Sequence, residues 1–185
     1  MDGARKKTSI TNYALSTKKQ EVSLSAFAFL FSEIIKYSHH SEKNVRDVER
    51  RLADMGYRIG IRLLEYITWR ENFTKRETKL LQMLFFIVNN VWTFLFNREA
   101  TLEKSNEKQY MILENESLIT KFISAPKWHP NSNFFLAGIV EGILDVSGFK
   151  AKVTAPNASV LKKRVQKLVI LIEFADEVIE REKST

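Results

Sequence analysis

The chain has 185 residues, of which 44% are hydrophobic and 28% are charged, and this is enough for one domain with a buried core. It contains no cysteine, which excludes disulfides, thiolate metal sites, a cysteine nucleophile and cysteine lipidation, and favours an intracellular protein. The net charge is +7, and the basic, polar residues 1–20 lack the apolar stretch of a secretory signal.

A first helix is predicted in the segment LSAFAFLFSEIIKYS, with Ser23 as its N-cap. Apolar side chains occupy most of the circumference of this helix, so it must be buried on more than one side. In so small a domain, we expect another subunit to cover the second side. Residues at helical spacing form one apolar face: Leu24, Phe27, Phe31 and Ile34 or Ile35.

After a polar loop, SHHSEKN, a long helix is predicted from about residue 45 to residue 70. Gly56 and Gly60 lie one turn apart within it, although a glycine inside a helix costs about 1 kcal/mol relative to alanine. We therefore expect another backbone to approach this helix closely. Its apolar side carries Met55, Ile59, Leu63 and Tyr66, and the opposite side carries Arg58, Arg62, Glu65 and Trp69.

A third helix is predicted over residues 75–97. Its apolar run is shorter than the roughly 20 residues that a membrane span requires, and it contains polar side chains, so we interpret it as a buried helix. The pattern changes after residue 101. A polar segment, TLEKSNEKQ, precedes two β-prone runs, YMIL and LITKFIS, which we expect to form a hairpin.

A fourth helix is predicted in FFLAGIVEGILDVS, with Asn131 or Ser132 as its cap and Gly148 as its left-handed stop. Strands are predicted in FKAKVTA and LVILIEF, and a short charged helix closes the chain. The order indicates an α+β fold in which helices pack around a small twisted antiparallel sheet. We expect a basic flexible tail in residues 1–20 and a single domain in residues 21–182.

No motif in the sequence points to catalysis, a cofactor or a metal site. The glycine pairs GYRIG and GIVEG lie inside predicted helices, whereas phosphate-binding glycines lie in the turn before a helix. Glu141 and Asp145 are interpreted as the solvated face of a helix. The prediction is a protein that is not an enzyme and has no small-molecule substrate.

Two basic clusters are predicted either to contact a membrane surface or an acidic partner, or to be plain solvated surface. Specific nucleic-acid binding is not expected, because no recognition motif accompanies the charge. The first cluster lies in the N-terminal tail and comprises Arg5, Lys6, Lys7, Lys18 and Lys19. The second lies between the last two predicted strands and comprises Lys162, Lys163 and Arg164.

Six blocks of the sequence, taken in order, resemble the small subunits of the transport protein particle (TRAPP) complex. The resemblance covers roughly residues 20–180, and the phrases EVSLSAFA and RETK favour one branch of the family. The blocks are EVSLSAFAFLFSEIIKYS, MGYRIGIRLLEYITWRE, KRETKLLQMLFFIVNNVWTFLF, YMILENESLITKFIS, AGIVEGIL and GFKAKVTA.

The resemblance implies a non-catalytic scaffold subunit of a vesicle-tethering complex. That complex acts as a guanine-nucleotide exchange factor for a Rab-type small GTPase in transport from the endoplasmic reticulum to the Golgi. The expected location is cytoplasmic and peripheral at Golgi and endoplasmic reticulum membranes. The expected partners are other TRAPP subunits, above all the acylatable member of the family, with the GTPase bound through the assembled complex.

Family members pair through their first two helices, and the predicted subunit interface in this chain lies there. It comprises Leu24, Phe27, Phe31, Ile34, Gly56, Ile59, Gly60, Leu63 and Tyr66.

One departure from the family concerns acylation. The acylatable member carries an acylated cysteine just before the third helix, where this chain reads NFTKR. Self-acylation is therefore excluded, and we expect Phe85 and Phe86 to fill the acyl tunnel instead. The alternative function is a sensor on the same fold that binds a small apolar ligand such as a lipid or an acyl chain.

Overall fold

The computed structural model describes residues 23–42, 44–71, 76–115, 117–121, 123, 130–156 and 168–184. Two helices come first, α1 (Leu24–Ser41) and α2 (Val45–Arg70). A third helical segment consists of α3 (Leu80–Phe85), a π-helical stretch (Phe86–Val91) and α4 (Trp92–Phe96). The elements that follow are β1 (Thr101–Lys104), β2 (Gln109–Glu114), α5 (Phe134–Val146), β3 (Ala151–Thr154), β4 (Leu168–Phe174) and α6 (Asp176–Ser184).

The four strands in the described part of the chain form one sheet, in the order β1-β2-β4-β3, and every pairing is antiparallel. The central pair is β2 with β4, in a register that places Ile112 opposite Ile170, and both side chains are fully buried. Helix α5 packs against β3 and β4 and is buried over most of its length. The predicted α+β class is confirmed.

The first hairpin lies earlier in the chain than predicted. Its first strand is β1, within the segment expected to be a polar connection, and Thr101 of β1 pairs with Leu113 of β2. β1 is an edge strand whose side chains are mostly exposed, so it has no need of an apolar sequence. The run LITKFIS is not the second strand: residues 118–121 form turns, in which the Thr120 amide donates to the Ser117 carbonyl at 3.3 Å.

Helix α1 continues through His39 and His40, which the sequence placed in a loop. The cause is a contact with α2. The Arg51 guanidinium donates to the Ser41 hydroxyl at 2.7 Å and pairs with the Glu42 carboxylate at 3.2 Å, which fixes the last turn of α1. Ser23 occupies the predicted N-cap position, but its side chain makes no capping hydrogen bond.

The third helical segment starts at Leu80 rather than near residue 75, because distant parts of the chain determine where it begins. The Leu80 amide donates to the Glu182 carboxylate of α6 at 3.1 Å, in the manner of a helix cap. Arg76, which lies before the helix, donates to the Ser147 carbonyl at the end of α5 at 2.9 Å. Both contacts join residues that are far apart in the sequence.

Helices α2 and α5 cross at their glycines. A Cβ atom added at Gly56 or Gly60 would lie 2.0 or 2.2 Å from a backbone oxygen of α5. A Cβ atom added at Gly138 or Gly142 would lie 2.0 or 2.3 Å from a backbone oxygen of α2. The predicted close backbone approach is therefore present, and the neighbour is a helix of the same chain.

Gly148 ends α5 as predicted, with a φ of 82° in the left-handed region. The Phe149 amide donates to the Leu144 carbonyl at 2.8 Å and completes the stop. Helix α5 itself begins at Phe134, and the backbone amide of the preceding residue, Asn133, donates to the side-chain oxygen of Asn131 at 3.1 Å. Among the helices that the structure describes, none has the length and apolarity needed to cross a membrane.

Candidate subunit interface

Three of the nine residues of the predicted interface are covered within the chain. Phe31 is only 1% exposed, and its ring lies against that of Phe135 with 5.2 Å between centroids. Gly56 and Gly60 are buried beneath α5. The prediction is wrong for these three, because α5 already occupies the surface that a partner would need.

The other six residues form what we call the pairing surface: Leu24, Phe27, Ile34, Ile59, Leu63 and Tyr66. Ile59 is 43% exposed and Tyr66 is 44% exposed, and Leu24 and Phe27 also reach solvent. Ile34 and Leu63 are half-buried. That a partner covers these residues stays a prediction.

The apolar stripe of α2 is covered only in part. Val48 and Leu52, early in the stripe, are buried, whereas Ile59 and Tyr66, later in it, are exposed. Helix α1 has 18 residues and α2 has 26, and the two are joined by a short connection in the manner of an αα-hairpin. A helix of 18 residues is about 27 Å long, so α1 cannot reach the last turns of α2, and Tyr66 is left open there.

Tyr66 is held in place from two sides. Its hydroxyl accepts a hydrogen bond from Arg70 at 2.8 Å, and the same guanidinium lies 5.9 Å from the ring centroid. Its ring meets Phe94 edge-on, with 5.8 Å between centroids. An aromatic side chain that is exposed yet fixed can enter an interface with little loss of conformational entropy.

Further apolar side chains reach solvent outside the predicted interface. Phe29 is 76% exposed, and Leu30 and Tyr37 on α1 and Trp69 on α2 are also largely exposed. The run AFAFLF is the sequence signal for the first of these, since it leaves α1 without a polar side in its first two turns. Exposed apolar patches on a soluble chain mark interaction surfaces.

A cleft of about 500 Å³ lies between α2, the third helical segment and the end of α5. Its apolar lining is Ile61, Leu64, Met83, Phe86 and Val146, and the polar residues at the cleft are Glu65, Thr68, Arg76, Glu77 and Ser147. Phe86 lines this cleft, but Phe85 is 51% exposed. The prediction that Phe85 fills an internal tunnel is therefore wrong.

Carboxylates meet on the outer side of the crossing between α2 and α5. The Tyr57 hydroxyl donates to Asp145 at 2.5 Å, and this hydrogen bond raises the pKa of Tyr57 above its ordinary value. Burial, and then the charges of Asp145 and Asp54, raise the pKa of Glu141. Glu141 is half-buried, whereas the sequence predicted a solvated side chain. No group of three metal-ligating side chains is present among the described residues.

The basic residues predicted to contact a membrane or an acidic partner lie outside the described residues. They are Arg5, Lys6, Lys7, Lys18, Lys19, Lys162, Lys163 and Arg164.

Residues 27–175 match the family described as Transport protein particle (TRAPP) component. A Dictyostelium discoideum protein named Trafficking protein particle complex subunit 5 is 50% identical, over 93% of this chain and 95% of its own length. The Homo sapiens protein of that name is 39% identical, over 97% and 95%. Trafficking protein particle complex subunit 31 of Saccharomyces cerevisiae is 30% identical, over 94% and 83%.

A solved structure has a similar fold. It is the crystal structure of a trafficking protein particle complex subunit 3 from Naegleria fowleri covalently bound to palmitic acid, and it matches with a TM-score of 0.72. The match covers 83% of this chain and 95% of that one, at 13% sequence identity. At this identity the likeness shows a shared fold and nothing about the ligand.

Proposed function

The chain belongs to the transport protein particle (TRAPP) component family, and we propose that it is a non-catalytic scaffold subunit of a TRAPP vesicle-tethering complex. In this proposal the assembled complex is a guanine-nucleotide exchange factor for a Rab-type small GTPase in transport from the endoplasmic reticulum to the Golgi. The chain is cytoplasmic and peripheral at those membranes. Support comes from relatives that are named as subunits of a trafficking protein particle complex and that match this chain over nearly their whole length.

The observation that carries the proposal is the open pairing surface on α1 and α2. Burying a large apolar side chain contributes about 1.5–3 kcal/mol, so six such side chains that are exposed or half-exposed favour association strongly. A stable interface buries about 800 Å² on each partner. The partner that we propose is the acylatable small subunit of the family, for which a subunit 3 homologue serves as the probe.

The test is co-expression of the full chain with a subunit 3 homologue. We expect the two proteins to co-purify, and we expect Ile59→Glu to abolish co-purification because a carboxylate would be placed in the middle of an apolar interface. Val45→Glu is the matched control. Val45 is also an exposed apolar residue of α2, but it lies at the start of the helix and outside the pairing surface.

Circular dichroism of each variant alone shows whether it folds. If a folded Ile59→Glu chain co-purifies in the same yield as wild type, the proposed pairing is wrong. The exchange activity is tested separately, by release of labelled GDP from a Rab-type GTPase. We expect release with the assembled complex and none above background with this chain alone.

A second candidate function is an apolar-ligand sensor, and the cleft beside Phe86 favours it. Its volume of about 500 Å³ lies within the usual range for small-molecule sites, and apolar atoms contribute most of the surface that lines it. Native mass spectrometry of the chain expressed alone separates the two candidates. A soluble monomer that carries a bound lipid supports the sensor, whereas a ligand-free chain that becomes soluble only with a partner supports the scaffold.

A further inference from the structure

Two arginines of α2 border the pairing surface, although the sequence placed them on the opposite side of the helix. Tyr66 lies one turn after Arg62, and residues one turn apart share a face of a helix. Arg58 and Arg62 are exposed on α2, one turn apart, and Arg58 is adjacent in sequence to Ile59. Among the described residues neither forms an ion pair within 4.0 Å, although Asp54 and Glu65 lie about one turn away on the same helix. We call Arg58 and Arg62 the arginine flank.

Arginines near the start of the same helix are placed differently. Arg50 pairs with Asp47 at 3.4 Å, and Arg51 pairs with Glu42 at 3.2 Å and lies 5.1 Å from the ring centroid of Tyr37. Arg50 and Arg51 therefore have carboxylate partners within the described part of the chain. Arg58 and Arg62 have none within 4.0 Å there, and they border the surface that is open to a partner.

We infer that the arginine flank selects the partner, and that the surface covering Ile59 and Tyr66 carries carboxylates opposite Arg58 and Arg62. This inference rests on the proposed scaffold function and adds the chemistry of the partner's face. A guanidinium at the edge of an interface loses part of its hydration, and a carboxylate that accepts two parallel hydrogen bonds restores the lost interactions. Such charge pairs contribute to partner choice and to the association rate.

A second copy of the chain is the less favourable occupant. The chain carries a net charge of +7, so two copies repel each other at long range. In a two-fold symmetric dimer both copies present the same surface, which brings two arginine flanks to one interface. The inference therefore commits to a different protein whose face is apolar at the centre and acidic at the edge.

The test measures binding of the full chain to a purified subunit 3 homologue by isothermal titration, at about 0.05 M and about 0.5 M salt. The double variant Arg58→Glu/Arg62→Glu reverses the charge of the flank. The matched control is Arg46→Glu/Arg50→Glu. It changes the net charge equally, at two exposed arginines with the same spacing on the same helix, but more than two turns before Ile59.

We expect the flank reversal to weaken binding at low salt by roughly tenfold or more, and the control reversal to weaken it by less than about threefold. Raising the salt should weaken wild-type binding and strengthen binding of the flank variant, because the new glutamates repel the partner's carboxylates and salt screens that repulsion. Arg58→Lys/Arg62→Lys keeps the charge but not the two parallel hydrogen bonds, so it should bind more weakly than wild type and more tightly than the flank reversal.

Two results overturn the inference. If the flank and control reversals bind equally well, the arginines do not select the partner, although the proposed pairing survives. If wild type binds no TRAPP small subunit, or forms only a self-dimer in sedimentation equilibrium, both the pairing and the inference fail. Circular dichroism of each variant excludes misfolding as the cause of lost binding.

Discussion

At the scale of single residues, Gly56 shows how a sequence signal can be correct in kind and wrong in location. Glycines one turn apart indicated a close backbone approach, and a Cβ at Gly56 would lie 2.0 Å from the Phe135 carbonyl oxygen. The approaching backbone comes from α5, nearly 80 residues later in the chain, and not from another subunit. Periodicity reports that a face is packed, but it carries no information about which element packs there.

The glycine crossing predicts a large loss of stability for Gly56→Ala. The added methyl group meets backbone atoms that cannot move aside as a flexible side chain can, so the two helices must separate. We expect the free energy of unfolding to fall by about 2 kcal/mol or more. Urea denaturation measures it, with Arg62→Ala on the exposed side of the same helix as the control. Equal stability of the two variants would show that the helices do not cross this closely.

Glu141 predicts a pH dependence of stability. Its pKa is raised in the folded chain, chiefly by burial, so the folded state holds the proton more tightly than the unfolded state does. The stabilising effect of that proton is present at a pH below the unfolded pKa of about 4.3 and is lost as the pH rises through the folded pKa. At neutral pH the ionised side chain therefore destabilises the fold.

We accordingly expect Glu141→Gln to raise the melting temperature at neutral pH and to have little effect near pH 4, where the native carboxyl is protonated. Thermal unfolding across this range measures the difference. Glu180→Gln, at an exposed glutamate of α6, is the control and should leave the pH profile unchanged. If Glu141→Gln raised the melting temperature by the same amount at every pH, ionisation of Glu141 would not be the cause of the gain.

At the scale of elements, a buried charge joins α4 to the sheet. The Glu114 carboxylate at the end of β2 is buried, accepts a hydrogen bond from the Trp92 indole at 3.2 Å, and forms an ion pair with Arg98. Removing one member of such a network leaves buried polar groups without partners. The hydrogen bond from Trp92 and the ion pair with Arg98 therefore both depend on the Glu114 side chain.

Glu114→Ala is expected to lower the free energy of unfolding by about 3 kcal/mol. The Trp92 indole would lose its hydrogen-bond acceptor and Arg98 would lose this ion pair. Glu99→Ala, at an exposed glutamate next to Arg98 in the sequence, should change the free energy of unfolding by less than about 0.5 kcal/mol. Chemical denaturation measures both. A loss for Glu114→Ala as small as that of the control would mean that Trp92 and Arg98 find other partners.

Elements with a strong apolar pattern were predictable, and elements with a weak one were not. Helix α2 has an apolar face at helical spacing, and α5 and β4 are long apolar runs that are buried on most sides, so all three occur where the sequence placed them. Strand β1 was missed because an edge strand with one exposed side needs few apolar residues. The start of α3 depends on Glu182, about 100 residues away, which no local pattern reveals.

The interface was only partly predictable for a related reason. Helix α1 is apolar over most of its surface, so its sequence does not distinguish the side that Phe135 covers from the side that stays open. Phe31 was assigned to the interface and is buried, while Phe29, two residues earlier, is 76% exposed. The choice between the two sides is made by the tertiary packing of α5.

At the scale of the whole molecule, the chain has a well-packed side and an open side. The sheet, the third helical segment and α5 bury their apolar residues against one another. Helix α2 crosses α5 at the glycines and α1 contacts α5 through Phe31 and Phe135, while both helices leave the pairing surface exposed. This asymmetry is what a scaffold subunit requires, since the stable side maintains the fold and the open side remains available for a partner.

In the proposed complex a partner buries the pairing surface of α1 and α2. Hydroxyl-radical footprinting of the chain, alone and bound to a subunit 3 homologue, measures this burial. We expect Phe27 and Tyr66 to become protected on binding and Phe85, an aromatic of α3 that is 51% exposed, to remain reactive. Protection of Phe85 with no change at Phe27 and Tyr66 would contradict this proposal, because the partner would then bind a different side of the molecule.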